Sequence, residues 1–299
     1  MNIDFINQLQ LKSRCTEVIE IKKGFSTDKK YLVHMEDGQK LLLRLFDGRE
    51  LESKKAEFRI LERMQEYKIT CSQPILIGEV EGQGYSVTSY LDGNDAEDEI
   101  STYSEVEQYK LGLRAGEELR RMHQLEAPPD ISSWYERKVE KHQRYIEAYL
   151  ACDVKVQNDH TIMEFIDQNI HLMKHRPNLF QHDDYHVSNI IVSNKEFVGV
   201  VDFGRFDWGD PYHEFLKVGI FTRGVSIPFS RGQIRGYFYN EDPDDEFWRL
   251  YSLYLAMCVF STVIWTLKVI PDSLDEMLDK VYTYLDDHDY FRRITPKWY

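Results

Sequence analysis

The chain has 299 residues, 42% hydrophobic and 29% charged, a composition typical of a folded protein with one large domain or two lobes and unlike that of a disordered or fibrous chain. Lysine and arginine number 37 and aspartate and glutamate 51, which gives a formal net charge of −14. We expect no nucleic-acid partner, because so acidic a chain repels a phosphate backbone. The charge favours a cationic small-molecule partner, the alternative being a solvated acidic surface.

The N-terminal residues are polar and lack the apolar segment of a secretory signal, so we expect a cytoplasmic protein. The four cysteines, at Cys15, Cys71, Cys152 and Cys258, are widely spaced and form no CxxC pair. This spacing predicts neither a disulfide framework nor a zinc site built on cysteines.

Apolar residues that alternate with polar ones predict β-strands in the first third of the chain. The predicted strands lie at residues 17–23, 31–36, 40–46, 75–80 and 85–90. The Asp37-Gly38 pair between the second and third strands is a strong signal for a hairpin turn. Between the third and fourth strands, Phe58, Leu61 and Met64 recur at a spacing of three and predict a helix over residues 50–67.

After residue 93 the pattern becomes mainly helical, with a short strand-like stretch at 179–203. The predicted helices lie at 106–125, 133–150, 161–174, 247–267 and 273–287. This change predicts two domains, an N-terminal lobe of residues 1–92 and a C-terminal lobe of residues 93–299. Residues 1–93 carry a net charge of −1 and the remainder −13, so the acidity belongs to the second part.

Residues 250–267 form an uncharged run of 18 residues, which reaches the lower length limit for a membrane span. The run contains serine, threonine and tyrosine, and its flanks are not strongly basic. These features favour a helix buried in a large core, and we expect no membrane partner.

The residues most informative about function lie at 179–192, where a polar cluster separates two apolar runs. Asp184 and Asn189 are five residues apart and His182 precedes Asp184 by two, as in the catalytic loop of protein kinases. The tripeptide Asp202-Phe203-Gly204 follows Asn189 after 13 residues, in the manner of the kinase metal-binding motif. One carboxylate can accept a proton from a hydroxyl, while an asparagine and a second carboxylate can hold Mg²⁺. The spacing therefore predicts phosphoryl transfer.

A metal-dependent hydrolase is an alternative interpretation of this cluster, because His182 and His186 have a spacing that could hold zinc. No third ligand at a recognised spacing accompanies them, so we favour a structural role for His182.

The stretch from His182 to Asn189 resembles the H-G-D-x-H-x-x-N loop of the aminoglycoside phosphotransferase family, and Asp202 through Pro211 resembles the D…GDP motif that follows it. Members of that family share the protein-kinase fold and phosphorylate hydroxyl groups of small molecules. The resemblance implies an α+β, bilobal, protein-kinase-like fold with a small N-terminal antiparallel sheet, one helix, and a larger, mainly helical C-terminal lobe.

The resemblance also implies the site and its cofactors. Asp184 is the proton acceptor, Asn189 and Asp202 bind Mg²⁺, and the phosphate donor is ATP or GTP. The residues implied to bind the nucleotide are Ser26, Arg44, Glu57, Ser89, Tyr90 and Leu91. Weaker candidates for contact with the acceptor are Asp207, Asp210 and Glu214, although Gly209-Asp210-Pro211 is also a common turn sequence.

The sequence departs from the family pattern at two positions. Arg44 stands where a lysine is usual, which keeps the charge but changes the donor geometry. Asp183 replaces a usual glycine and places two acids side by side, which could raise one pKa.

The resemblance and the acidic charge together favour an aminoglycoside as the acceptor, with antibiotic resistance by inactivation as the outcome. Other acceptors stay open, among them a macrolide, choline or ethanolamine, homoserine, methylthioribose and a fructosamine. The two departures motivate a different class, a non-catalytic kinase-like binding module.

Overall fold

The computed structural model describes residues 3–9, 11–22 and 27–299. The chain divides into two compact units, the first extending to Gly93 and including Val198–Gly204, and the second comprising Asn94–Phe197 and Arg205–Tyr299. The sequence predicts one boundary, between residues 92 and 93. The observed division differs because the segment after Phe197 returns to the first unit, where Val200 donates a backbone hydrogen bond to the carbonyl of Thr70 (2.9 Å).

The described part of the first unit contains a five-stranded antiparallel sheet with strand order β1-β2-β3-β5-β4. Its strands are β1 (Cys15–Ile21), β2 (Lys29–Met35), β3 (Lys40–Asp47), β4 (Pro74–Val80) and β5 (Gln83–Ser89). The predicted hairpin turn is confirmed, with Gly38 at φ 85° after β2. Glu81 and Gly82, at φ 52° and 80°, form a second tight turn between β4 and β5.

Two helices accompany this sheet, α1 (Ile3–Gln8) and α2 (Leu51–Glu66). The apolar spacing that predicts α2 is present because one side of the helix is buried. Ile60, Leu61 and Met64 are buried on that side, together with Glu57. A buried charged residue on this apolar side is unusual, and Glu57 forms an ion pair with Arg44 on β3.

The second unit is mainly helical, as predicted. Its described helices are α3 (Ala96–Glu99), α4 (Glu105–Met122), α5 (Trp134–Ala151), α6 (Asp159–Asn169), α7 (Arg223–Val225), α8 (Ile227–Tyr237), α9 (Asp245–Val269) and α10 (Leu274–Asp287). Ser104 and Glu107 form a capping box at the start of α4, and Ser133 caps α5. Helix α8 lies in a region to which the sequence analysis assigns no structure.

Helix α9 is the core of this unit. It is long and apolar enough to cross a membrane by length and composition, yet 72% of its apolar window is buried inside the protein. Buried aromatic side chains of other elements pack around it, such as Phe215 and Tyr149. The prediction of a buried core helix over this run is therefore confirmed.

Short strands frame the loop that carries the kinase-like residues. They are β6 (Asn94–Asp95), β7 (Leu179–Gln181), β8 (Ile190–Ser193), β9 (Glu196–Val200) and β10 (Asp207–Gly209). Strand β6 pairs antiparallel with β8, and β10 pairs antiparallel with β7. Residues 182–189 therefore begin and end at paired strands, which fixes both ends of the loop.

Helices α4 and α8 approach each other closely because glycines lie at their contact. A Cβ on Gly116 would lie 2.1 Å from the carbonyl oxygen of Gln233, and one on Gly232 would lie 2.2 Å from that of Tyr109. The α4 backbone also supports the loop, since the buried hydroxyl of Tyr185 donates to the carbonyl of Ala115 (2.8 Å).

We expect Gly116→Ala to destabilise the protein by about 1–3 kcal/mol, even though alanine favours a helix, because the methyl group overpacks the contact. The matched control is Gly224→Ala, where an added Cβ meets nothing within 4 Å. Urea denaturation of the two variants and the wild type measures the effect. Equal stability of both variants would show that the two helices can separate at no cost.

Candidate active site

The loop that carries the kinase-like residues turns sharply at Asp183. This residue has φ 58°, in the left-handed region that favours glycine and that aspartate adopts more readily than most residues. The glycine of the family pattern and the aspartate of this chain are thus two solutions to one backbone requirement. The turn places Asp184 between the backbone N–H groups of Asp183 and Tyr185, which both donate hydrogen bonds.

Those two N–H groups donate to one buried carboxylate. The N–H of Asp183 lies 3.2 Å from Oε2 of Glu214, and the N–H of Tyr185 lies 3.3 Å from Oε1. Glu214 is 1% exposed. Burial by itself would raise the pKa of Glu214, but His123, whose Nε2 lies 3.9 Å from Oε2, the neighbouring His182 and the N–H of Asp183 lower it. Glu214 therefore acts as an ionised anchor for the loop.

The side chain of Asp184 is surrounded by two cations and a histidine. Its Oδ1 lies 3.1 Å from Nζ of Lys217 and 3.3 Å from Nε2 of His186, and its Oδ2 lies 3.7 Å from Nη1 of Arg205. Burial by itself would raise the pKa of Asp184, but the hydrogen bond from His186 and the charges of Lys217, His186 and Arg205 lower it well below the usual range. Asp184 is thus a carboxylate at any physiological pH.

Asn189 is oriented by the same loop. Its Nδ2 donates to the backbone carbonyl of Asp184 (2.8 Å), and its backbone N–H donates to the carbonyl of His186 (2.9 Å). Its Oδ1 accepts no hydrogen bond from the described residues. The structure thus brings the predicted proton acceptor and the predicted metal ligand together in one turn of chain.

Asp210 does not occupy a substrate-binding position. It is fully buried, with Nε and Nη2 of Arg176 at 2.9 and 3.0 Å and the hydroxyl of Tyr254 at 2.6 Å. It also caps the following turn by accepting from the N–H of Tyr212 (3.0 Å). These contacts occupy both carboxylate oxygens, so the residue is structural.

The other two candidates for acceptor contact also have different neighbours. Glu214 is the loop anchor and is inaccessible to a substrate. Asp207 is 39% exposed at its side chain, but its Oδ1 lies 3.2 Å from Nη1 of Arg137 and accepts the N–H of Trp208 (2.7 Å). The sequence shows these three acids close together without showing which are buried.

A cavity of about 220 Å³ lies beside Asp184 within the second unit. One wall is apolar, with Phe221, Trp265 and Met277 among its members. The lysine, arginine, histidine and aspartate residues that line it are Lys138, Lys141, His142, Asp183, Asp184, Arg205, His213 and Lys217. Sequence analysis names Asp183 and Asp184 from this set and misses the lysines, which lie on separate elements.

Both histidines in that set are neutral at physiological pH. Burial and the charge of Lys138 lower the pKa of His142 to about 4, and burial with Lys138, Lys141 and Lys217 lowers that of His213 well below its ordinary value. Burial raises the pKa of Asp183 to about 6, with Lys217 opposing and Glu214 adding to the shift. Four cations and two acids therefore face the cavity.

In the first unit, Arg44 on β3 joins two carboxylates. Its Nη1 lies 2.6 Å from Oε1 of Glu57 on α2, and its Nη2 lies 2.8 Å from Oδ2 of Asp28. Asp28 also accepts from Nζ of Lys54 (2.7 Å). Burial by itself would lower the pKa of Arg44, but Glu57 and Asp28 raise it. The predicted pairing of Arg44 with Glu57 is present, and Lys54 is a second cation that the sequence analysis does not identify.

A smaller cavity of about 60 Å³ in the first unit is lined by Arg44, Lys54, Glu57 and Asp202. Asp202 has φ 65° and an exposed side chain, whereas the neighbouring Phe203 is 2% exposed. The buried ring thus fixes the backbone while the carboxylate stays accessible. Ser26, the predicted phosphate contact, lies outside the described residues.

Two of the three predicted base-binding residues have their N–H groups in use. The N–H of Ser89 donates to the carbonyl of Gln73 (2.8 Å), and that of Tyr90 donates to the carbonyl of Lys40 (3.0 Å). Leu91 makes no backbone hydrogen bond within the described part of the chain. Of the three, Leu91 has a backbone N–H that no described residue uses and that can donate to a base.

The donor chemistry of Asn189 and Asp202 suits Mg²⁺, which prefers amide and carboxylate oxygens and completes its shell with water and phosphate. An accessible carboxylate on Asp202 and an unpaired Oδ1 on Asn189 satisfy this test. In the described ranges, no group of three or more His, Cys, Asp and Glu side chains is arranged to hold a metal ion.

We expect Asp210→Asn to destabilise the protein by about 3–5 kcal/mol, because it leaves the guanidinium of Arg176 without its buried partner. Asp207→Asn is the matched control, three residues away and partly exposed, with an expected effect of less than about 1 kcal/mol. Thermal or urea denaturation distinguishes the two. A small effect at Asp210 would instead mean that its carboxylate is available to a substrate.

The sequence and fold were compared with known proteins. A search of curated protein sequences finds no significant match. Among solved structures, the chain is similar to the streptomycin–ATP complex of APH(2'')-IIa, with 19% identity, 93% of this chain and 96% of that one covered, and a TM-score of 0.65.

Two further structures give the same fold. ADP-bound APH(2'')-Ib matches with 18% identity, 94% and 96% coverage and a TM-score of 0.65. Spectinomycin phosphotransferase APH(9)-Ia, in complex with ADP and spectinomycin, matches with 14% identity, 95% and 94% coverage and a TM-score of 0.62. The predicted α+β, kinase-like fold is therefore confirmed.

Residues 17–251 match the model of the phosphotransferase enzyme family, also called APH. The match spans more than half of the chain and includes the loop of Asp184 and Asn189 as well as Arg44, Glu57 and Asp202. The prediction of a phosphotransferase is confirmed, and the chain belongs to the phosphotransferase enzyme family.

Proposed function

We propose that this protein transfers the γ-phosphate of ATP or GTP to a hydroxyl group of a small molecule, with Mg²⁺ as cofactor. The observation that carries the proposal is the position of Asp184, an ionised carboxylate at the wall of a cavity of about 220 Å³. A cavity of this size suits a small acceptor rather than a protein segment.

Asp184 would accept the hydrogen bond of the acceptor hydroxyl and orient its oxygen toward the phosphorus. Phosphoryl transfer proceeds through a loose transition state in most analyses, so orientation matters more than strong basicity, and the low pKa of Asp184 is compatible with this role. The proton passes from the hydroxyl to Asp184 as the acceptor oxygen bonds to the γ-phosphorus. The bond from that phosphorus to the bridging oxygen breaks, and ADP or GDP leaves. Lys217 and Arg205, both at Asp184, would balance the charge of the arriving phosphate.

Asn189 and Asp202 would hold Mg²⁺, which neutralises phosphate charge when it is bound. In the first unit, Arg44 is held by Glu57 and Asp28 and would contact the nucleotide phosphates, with Lys54 beside it. These ion pairs fix the direction of each cation before a nucleotide arrives.

The non-catalytic alternative has less support. Asp183 fits the backbone turn that the family glycine would otherwise make, and Arg44 keeps its partner Glu57. Both departures from the family pattern are therefore accommodated by the fold, and the proton acceptor and metal ligands are present.

The acceptor that we propose is a small molecule with a hydroxyl group. The sequence favours an aminoglycoside, and the comparison structures contain such antibiotics. The cavity does not favour a polycation, because four cationic side chains face it.

We expect Asp184→Asn to lower kcat by about 10²- to 10⁴-fold while nucleotide affinity changes little, since the substitution removes the proton acceptor and keeps the side-chain shape. The assay measures nucleoside diphosphate release with Mg²⁺ and ATP or GTP over a panel of cationic, neutral and anionic hydroxyl compounds.

The matched control is Asp153→Asn, at an exposed aspartate outside the site, which should behave as the wild type. Nucleotide binding without release in the presence of every acceptor would support the binding-module alternative. Unchanged activity of Asp184→Asn would contradict the assignment of the proton acceptor.

A further inference from the structure

Two of the cations that face the cavity are not used by the mechanism above. Lys138 and Lys141 lie three residues apart on α5, so they project from the same side of the helix. Lys217 and Arg205 are paired with Asp184, whereas neither Lys138 nor Lys141 forms an ion pair with a described residue. The cavity thus holds two ammonium groups without carboxylate partners.

The environment of Lys138 makes this absence costly. Its Nζ lies 2.7 Å from Nε2 of His213, a neutral ring, and 5.5 Å from the ring centroid of Trp134. Burial, together with the charge of Lys141, lowers the pKa of Lys138 to about 8. A desolvated ammonium that lacks a counter-ion is unfavourable unless a ligand provides one.

The remaining wall of the cavity is apolar and aromatic. Phe221, Trp265 and Met277 lie there, and Trp265 is 37% exposed although it is a large aromatic residue. Such a wall suits a hydrocarbon or aromatic body more than a densely hydroxylated polycation.

We propose that the acceptor is an anionic hydroxyl compound whose carboxylate or phosphate-type group binds between Lys138 and Lys141, with its apolar body against Phe221 and Trp265. This inference rests on the proposed function, because it assumes that the cavity beside Asp184 is the acceptor site. It replaces the cationic acceptor expected from the net charge.

A set of matched probes tests the sign of the preferred charge. 4-(Hydroxymethyl)benzoate carries a carboxylate, its amide is neutral, and 4-(aminomethyl)benzyl alcohol is cationic, while all three share one ring and one hydroxyl. 4-(Hydroxymethyl)phenylphosphonate distinguishes a phosphate-type group from a carboxylate. Isothermal titration calorimetry on the full chain without nucleotide measures binding independently of phosphoryl transfer.

We expect the Kd of the better anionic probe to be at least about tenfold lower than that of the amide or the amine. A tenfold change corresponds to the contribution of one hydrogen bond to a charged group. Lys141→Gln and Lys138→Gln should each remove about tenfold of that preference. Lys141 is exposed, so its replacement tests the proposal even if Lys138→Gln fails to fold.

The matched control is Arg144→Gln on the same helix. Arg144 is exposed, pairs with Glu140 at 2.7 Å and lies outside the cavity, so this variant should bind the probes as the wild type does. An equal loss of affinity in Arg144→Gln would indicate a general surface effect and would overturn the proposal.

The pH dependence provides a second readout. The charged and titratable groups that face Lys138 are Lys141 and His142 on its own helix, Asp183, Asp207, His213, and Tyr254 and Cys258 on α9. The protonated ammonium binds the anion, so affinity for 4-(hydroxymethyl)benzoate should fall as the pH rises through about 8. Ionisation of Asp183, whose pKa is about 6, should cause an earlier fall. Lys138→Gln should lose the fall near pH 8 and keep the one near pH 6.

The outcomes separate the two proposals. Anion-selective binding that depends on both lysines, without phosphorylation of any probe or acceptor, would support the anion site and contradict the proposed activity. Phosphorylation of a cationic acceptor, with tighter binding of the amine than of either anion, would support the activity and overturn this inference. Equal binding of all four probes would also overturn it.

Discussion

The position of Asp184 depends on one buried ion, the carboxylate of Glu214. Its two oxygens accept the N–H groups of Asp183 and Tyr185, on either side of the proton acceptor, so the chain at Asp184 cannot move without breaking a buried charge-assisted hydrogen bond. A neutral or exposed residue in the place of Glu214 would hold the loop more weakly. The kinase-like spacing of Asp184 and Asn189 places the two side chains in a defined arrangement because the carboxylate of Glu214 holds the loop between them.

Pairing with a carboxylate also divides the cations that face the cavity into two groups. Lys217 and Arg205 are drawn to Asp184 and lie where charge changes during transfer. Lys138 and Lys141 lie on α5, and Lys138 is held by the neutral ring of His213 rather than by an acid. A cation held without neutralisation remains able to attract a ligand, whereas one inside an ion pair must first exchange partners.

Local spacing was enough to predict the elements that carry Asp184, Asn189 and Asp202, and the alternation and helix periods of the first third matched the sheet and α2 closely. The roles of Glu214 and Asp210 could not be predicted in this way. Both look like acids after a turn, and their burial depends on His123 and on Arg176, which lie far away in the chain. The paired glycines at a spacing of four in α4 and α8 were the available signal for the helix that the sequence analysis missed.

The net charge of the chain and the charges that face the cavity indicate acceptors of opposite sign, because the two act over different distances. Exposed charges more than about 8 Å apart are largely screened at physiological salt, so most of the acidic surface has little effect on a group inside the cavity. A single opposite charge at about 4 Å in a partly desolvated site contributes about 4 kcal/mol of Coulomb energy. Two lysines in contact with a bound anion therefore outweigh the net charge of −14 on the chain. The charged residues that face the cavity come from separate elements brought together in the fold, and the sign of their charge selects the small molecule that we propose to lie beside Asp184.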